Sequence, residues 1–444
     1  MQLTVERHVP VSLRAVALVA IVAIGASASA ADAPSGAVSV QSHALSIEQT
    51  NLPPTGYSVT FRYYDPEATR VQIRGDWSFT TTAGTTGVSP SDWEPGAFPS
   101  GEAVTDMTEI ANSGLWTYST PLPSGVFNYG FVIDCSNDGE KGCPTVSDPN
   151  NSPWNAKGAV VRGSVAPMSQ VFVPSDRTFG TVDYWWQGPE STLPRGALAN
   201  VAYPSPTHVS PAGENHLAVY TPPGYDPGRA EPYPTLYLSH GGGGNEMDWS
   251  TQGAVPNIMD SLVNTGHIQP MVVVMINFEG FDLSCPAKGW VDGVGEDIVN
   301  NVVPYVEAHY DVTKEPAGRA FAGLSCGGAL GEAFLINQPA EFGYYGIFSP
   351  GGGNPFTDLT DKQAAALRGL AIFIGGGYQE PTVTQGKPGP RANAVNDVAL
   401  LTASGITVTP EFINGTHEWY VWRILLHDYL LHVAFAPLPD RLGG

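Results

Sequence analysis

One five-residue segment narrows the fold before composition is considered. Gly323-Leu324-Ser325-Cys326-Gly327 has the form G-x-S-x-G. It lies between a strand-like run, Arg319-Ala-Phe-Ala, and a small-residue stretch from Gly328 that reads as a helix. A serine on a tight strand-to-helix turn sits in a strained backbone conformation, and flanking glycines remove the Cβ atoms that would collide there. A buried strand must therefore enter the turn and a helix must leave it. That pairing is the repeating unit of an α/β architecture.

The surrounding pattern agrees from His216 onward. Thr235-Leu-Tyr-Leu-Ser and Met271-Val-Val-Val-Met-Ile are apolar on both faces, as buried parallel strands must be. Ile298 to His309 has amphipathic helical spacing. Ala371-Ile-Phe-Ile and Thr407 to Ile413 read as later strands, and Trp419 to Phe435 as a closing helix. Strands alternating with helices imply a mostly parallel sheet covered by helices on both faces. The region before it differs. Tyr57-Ser-Val-Thr-Phe-Arg-Tyr, Arg70-Val-Gln-Ile-Arg and Val126-Phe-Asn-Tyr-Gly-Phe-Val alternate with period two between Pro-, Gly- and Asp-rich turns. Short alternating strands of this kind predict an antiparallel β-sandwich. The expected organisation is a sandwich over 45–175, a linker over 176–212 and an α/β domain over 213–440. Trp185 and Trp186 lie in that linker.

The first 30 residues read as an export signal. Arg7 and Arg14 supply positive charge, and Ala15 to Ile24 form an apolar run. That run is shorter than the roughly 20 residues a membrane span needs. Ala28-Ser29-Ala30 offers a small-x-small cleavage site. The mature chain is expected outside the cytoplasm with no membrane span. The whole chain carries a formal charge of −22. Such a chain is repelled by phosphate backbones, so nucleic acid is not an expected partner. Four cysteines in an oxidising compartment suggest two bridges. Cys135 and Cys143 flank a polar loop and are the natural first pair. Cys285 and Cys326 remain, either bridged or as separate buried thiols. No cysteine or histidine spacing suits a metal, and neither a metal nor another cofactor is expected.

Ser325 is the expected nucleophile. His240-Gly241-Gly242-Gly243-Gly244 follows a buried strand, and its glycines let backbone N–H groups approach a substrate oxygen. One such donor, from Gly241 or Gly242, would join the N–H of Cys326 in an oxyanion hole. No Gly-Lys-Ser/Thr follows to suggest a phosphate loop, and His240 itself reads as structural. The base should come last in chain order, after the final strand. His417, in Asn414-Gly-Thr-His-Glu-Trp, meets that requirement. His427 falls inside the closing helix, while His216 and His309 precede the nucleophile. The orienting acid should follow the strand between nucleophile and base, which selects Glu380 over Asp397, in a predicted helix, and Glu411, within the last strand. The aromatic residues Trp249, Phe278, Phe281, Trp290, Tyr378 and Trp419 are expected to face the cleft and to cradle a small-molecule or polysaccharide ester.

These segments also resemble a known family. Leu217-Ala-Val-Tyr-Thr-Pro-Pro-Gly-Tyr-Asp, Leu236 to Trp249, Ala322-Gly-Leu-Ser-Cys-Gly-Gly and His417-Glu-Trp-Tyr-Val-Trp-Arg423 are similar to the esterase D-like (Putative esterase) family of α/β-hydrolases. That family includes feruloyl and acetylxylan esterases of carbohydrate esterase family one, enterochelin-type esterases and mycolyltransferases. The resemblance spans about residues 195–437. It implies a serine esterase working through an acyl-enzyme, with acyl transfer on the same triad as an alternative, and a binding protein that has lost catalysis as another. Family members usually carry a bulkier residue at the position of Cys326. Many have Asp at the position of Glu380, although mycolyltransferases use Glu. The N-terminal region resembles the early-set, glycogen-binding-like sandwich through Arg74-Gly-Asp-Trp77, Gly114-Leu-Trp116 and Tyr129. Its tryptophans are expected to fill the sandwich core rather than to bind sugar. Neither the resemblance nor the composition speaks to oligomeric state.

Overall fold

The structure, a computed structural model, describes residues 44–81, 87–136, 143–155, 168–351 and 358–436. The expected export signal lies outside them.

The N-terminal part contains two antiparallel sheets. In chain order its strands are β1 (Ser46–Gln49), β2 (Tyr57–Tyr64), β3 (Val71–Thr80), β4 (Phe98–Asp106), β5 (Thr108–Glu109), β6 (Leu115–Pro121), β7 (Gly125–Ile133), β8 (Thr145–Val146) and β9 (Ser169–Val173). One sheet has the order β1-β2-β6-β5. The other has the order β4-β3-β7-β8, with β9 also paired to β7. Alternate residues of β2, β3 and β7 meet in one core around Phe61, Ile73, Trp77 and Tyr129. Trp77 stacks on Phe61 with ring centroids 5.1 Å apart. Trp77 and Trp116 are both buried, so the aromatic signature of this region belongs to its core.

The catalytic-type region is built on one eight-stranded sheet. Its elements are β10 (Ala197–Val209), β11 (Ala212–Thr221), β12 (Thr235–Ser239), α1 (Val255–Asn264), β13 (Val272–Ile276), α2 (Trp290–Asp297), α3 (Val303–His309), β14 (Arg319–Leu324), α4 (Cys326–Asn337), β15 (Tyr344–Phe348), α5 (Asp361–Leu367), β16 (Ala371–Gly377), α6 (Pro390–Ala403), β19 (Val408–Ile413) and α7 (Trp419–His432). A two-strand ribbon, β17 (Val383–Thr384) and β18 (Lys387–Pro388), lies between β16 and α6. The strand order is β10-β11-β13-β12-β14-β15-β16-β19. Pairings from β13 to β19 are parallel; β10–β11 and β11–β13 are antiparallel. The sheet is therefore mixed, with its parallel part around β14.

Strand periodicity sorts the core into two faces. Val272, Val274 and Ile276 join Tyr237 and Phe321 on the face covered by α2, α3, α4 and α6. Val273 and Met275 join Leu236, Leu238, Ala320 and Ala322 on the face covered by α1 and α7.

The expected linker needs correction. Residues 197–209 form β10 and pair with β11 from Ala197↔Thr221 to Pro204↔Glu214. Pro204 and Pro206 hid this strand. A proline cannot donate to a ladder, so it survives only at an edge or a bulge. β10 is the edge strand, and its register breaks between Pro204 and Val209.

Candidate active site

β14 delivers Ser325 at the C-terminal edge of the sheet. Its backbone has φ 52 and ψ −115 and serves as the N-cap of α4. A non-glycine residue at positive φ is strained, and the turn is held by its neighbours. Ser325 N–H donates to Phe348 O at 2.9 Å, and Gly351 N–H donates to Ser325 O at 2.9 Å. A Cβ at Gly323 would collide with the Gly327 carbonyl, and one at Gly327 would collide with the His240 carbonyl. The two glycines of the motif are thus required by close approach. α4 begins at Cys326, so its N-terminal end faces the serine and favours developing negative charge.

The glycine loop after β12 packs directly on this turn. A Cβ at Gly241 would lie 3.3 Å from Ser325 Cβ, and one at Gly242 would lie 3.1 Å from Cys326 Sγ. His240 is completely buried beneath the loop. Its Nδ1 lies 2.6 Å from Gly241 O, and its Nε2 accepts the Phe278 N–H at 3.3 Å. Those two bonds fix the neutral Nδ1–H tautomer, since a backbone carbonyl can only accept. Burial pushes the imidazole down to about 4. The Glu279 carboxylate accepts the Gly243 N–H at 2.7 Å and pins the far end of the loop. A disulfide joins Cys285 to Cys326 with Cα atoms 6.2 Å apart, tying the 279–290 loop to the serine turn. A second bridge joins Cys135 and Cys143.

His417 follows β19 and Glu380 follows β16, neighbouring strands in the sheet. His417 Nδ1 lies 3.4 Å from Glu380 Oε2. The other carboxylate oxygen, Oε1, accepts from Ser349 Oγ at 2.5 Å and from Gly377 N–H at 2.8 Å. Ser349 Oγ in turn accepts from Trp422 Nε1 at 3.1 Å. The Trp422 ring stands edge-on to His417, with centroids 4.9 Å apart. Ser349 and Trp422 had no sequence signal of their own, because each acts through a residue distant in the chain. Among the described residues no hydrogen bond joins Ser325 Oγ to His417. Gly351 approaches the serine closely, since a Cβ there would lie 3.1 Å from Ser325 Oγ.

The competing residues have other partners. Asp397 is buried in α6 beside Glu332, where burial and the Asp397 charge hold Glu332 well above the usual carboxylate range. Glu411 lies within β19. His427 stacks on Trp186 with centroids 4.1 Å apart and bonds Asp428 at 2.7 Å. His309 bonds Tyr305 O within its own helix, and His216 lies 3.8 Å from Glu214.

Three of the six expected cleft aromatics are core. Trp249 is buried and donates from Nε1 to Ser239 O at 2.8 Å. Trp290 and Phe278 are buried and pack together, with Phe278 stacked on His240. Their burial does not fit the expectation that these rings face a cleft. Trp419 is half-buried and edge-on to Trp249 at 5.2 Å. Phe281 is half-buried against His208, and Tyr378 is exposed.

Comparison with known proteins bears on this arrangement. The Esterase family, described as Putative esterase, matches residues 209–433. The chain belongs to that family. An endo-1,4-beta-xylanase/feruloyl esterase of Xylanibacter ruminicola is 32% identical over 212 residues, covering 46% of this chain and 27% of that protein. Endo-1,4-beta-xylanase Y of Acetivibrio thermocellus is 32% identical over 256 residues, covering 50% of this chain and 22% of that protein. The chain thus spans about a quarter of the length of these curated relatives. The enterobactin esterase of Shigella flexneri, solved with 2,3-dihydroxy-N-benzoyl-serine, shares the fold at TM-score 0.54 and 17% identity. That match covers 88% of this chain and 96% of the other.

Proposed function

We propose that this chain is a secreted serine carboxylic ester hydrolase that acts through an acyl-enzyme, with acyl or feruloyl esters of carbohydrates as its substrate class. The observation that carries the reading is the Glu380–His417 pair, set at the same sheet edge as a serine on a strained strand-to-helix turn. Family membership and the xylanase/feruloyl esterase named among the relatives support the substrate class.

In the proposed reaction His417 takes the proton of Ser325 as the hydroxyl attacks the ester carbonyl. The N–H of Cys326 and a glycine-loop N–H hold the oxyanion. His417 then gives its proton to the departing alcohol and activates water for deacylation. Glu380 holds the imidazole in the tautomer that leaves Nε2 free to act as base. A hydrogen bond between the Ser325 hydroxyl and His417 has to form for this transfer. Such catalytic bonds commonly tighten only when substrate is bound. The N-terminal signal pattern and two disulfides support an extracytoplasmic site of action.

Ser325→Ala should lower kcat on a p-nitrophenyl ester by about 10⁶-fold, because a disabled triad leaves only binding and the oxyanion donors. A fluorophosphonate probe should label the wild-type protein and not the variant. Turnover retained in the variant removes Ser325 as nucleophile. A screen of acetyl, longer acyl, aryl and feruloyl esters then tests the substrate class.

A further inference from the structure

Two consecutive tryptophans between the sandwich and β10 have opposite environments. Trp186 is buried, stacked on His427 at 4.1 Å and edge-on to Tyr184 at 6.0 Å. Trp185, one residue earlier in the same short turn (Trp185–Gln187), is 40% exposed. Gln187 closes the turn and is itself buried, accepting the Val126 N–H at 3.2 Å. The anchored neighbours thus hold the Trp185 backbone rigid and fix its ring outward. Trp185 N–H donates to Asp183 Oδ1 at 3.2 Å, and its ring stands 6.2 Å from that of His267.

Trp185 forms one wall of an open cleft of about 470 Å³, separate from the residues of the ester site. Phe172 of β9 and Leu193 supply further apolar wall, and Asp183 and Glu190 supply carboxylates. The floor is shaped by close approach: a Cβ at Gly188 would collide with the Phe172 ring. Glu190 Oε1 accepts from Thr192 N–H at 3.0 Å and from Thr192 Oγ1 at 2.8 Å, which orients its carboxylate on the rim.

We propose that this cleft is a non-catalytic binding site for an uncharged polysaccharide, with Trp185 as the stacking platform. A sugar ring has an apolar C–H face that suits an indole plane, and a rim of hydroxyl donors that suits carboxylate acceptors. Anionic polymers are disfavoured by Glu190 and the net charge of −22, while Asp183 is paired with Arg177 at 3.5 Å. The cleft is within the volume range of small-molecule sites and open, so a chain can pass across it. Holding a polymer there raises the effective concentration of its ester groups near Ser325. That purpose rests on the proposed esterase reading, whereas the binding itself does not.

The test is native electrophoresis of the full chain through gels containing soluble arabinoxylan, mixed-linkage β-glucan or starch. At least one polymer should retard the wild type. Trp185→Ala should weaken that retardation by about fivefold to tenfold in Kd, as expected for loss of one aromatic platform, with Trp185→Phe between the two. Both variants should hydrolyse a small p-nitrophenyl ester as the wild type does. Glu190→Gln keeps an acceptor and should still bind; loss of binding there would mean the contact depends on the carboxylate charge rather than on accepting from sugar hydroxyls, and would overturn the proposal. So would unretarded migration in all three gels, or a Trp185→Ala variant retarded as strongly as the wild type. Retardation abolished by phosphonylation of Ser325 would place the polymer in the ester site and equally sink it.

Discussion

His240→Leu separates positioning from chemistry at the proposed oxyanion hole. The imidazole bonds Gly241 O at 2.6 Å and receives the Phe278 N–H at 3.3 Å. In a trans peptide the carbonyl of Gly241 and the N–H of Gly242 point in opposite directions. Holding that carbonyl on the buried ring therefore turns the Gly242 N–H away from it, on a loop that packs against Ser325 and Cys326. Leucine fills the space but bonds neither group. The buried Phe278 N–H loses its partner, at about 1–3 kcal/mol, while Gly241 O keeps only the Gly244 N–H at 3.2 Å. The freed peptide can also rotate. Complete loss of one oxyanion donor costs about 10²–10³-fold in kcat, which sets the upper limit. The expected result is a kcat lower by about 10-fold to 10³-fold with KM nearly unchanged, since the donor acts on charge that develops in the transition state. Urea unfolding should show a loss of about 1–4 kcal/mol. His240→Asn, whose amide can still donate near the Nδ1 position, should recover part of kcat. A leucine variant within about threefold of wild-type kcat would refute the positioning argument, whatever its stability.

Three further outcomes follow from buried charge. Arg423 is buried, donates to Gln252 O and Val126 O at 2.7 Å each, and faces Asp76 and Glu418. Arg423→Met should cost about 3–5 kcal/mol in chemical denaturation, the range for stripping a cation from buried carboxylates; a loss below about 1 kcal/mol would place those groups in water. Burial raises Glu418 from its ordinary value to about 7, so the folded state retains a proton that the unfolded chain releases. Its contribution is complete below the unfolded pKa and is lost as pH rises through about 7. The Tm of Glu418→Gln, relative to wild type, should therefore climb between about pH 4 and 7, and a flat difference would contradict the assignment. His240 works in the opposite sense over the same interval. Its folded pKa is depressed to about 4, so its contribution is present above the unfolded pKa and lost as pH falls toward 4; a His240→Asn variant should show a shallower acid decline in Tm.

The sequence by itself determined the tight turn at Ser325, the alternation of strands and helices, and the chain order in which His417 and Glu380 follow the serine. Each is a local signal. Gly323 and Gly327 are needed where backbone meets backbone, and Val272 to Ile276 must be buried on both faces. It also singled out Glu380, which directly follows a readable strand, and the structure sets its carboxylate beside His417. What only the tertiary structure decided depends on segments far apart in the chain. β10 was hidden by prolines that only an edge position tolerates. Trp249 and Trp290 read as cleft residues, and nothing local separates a ring that lines a cavity from one that lies a layer behind it. Ser349 and Trp422 became visible only once Glu380 and His417 were in place, and Arg423 only once the sandwich supplied Val126 and Asp76. Period and turn chemistry are written residue by residue. Which side chains a carboxylate or an indole finally touches is set by how whole layers close on one another.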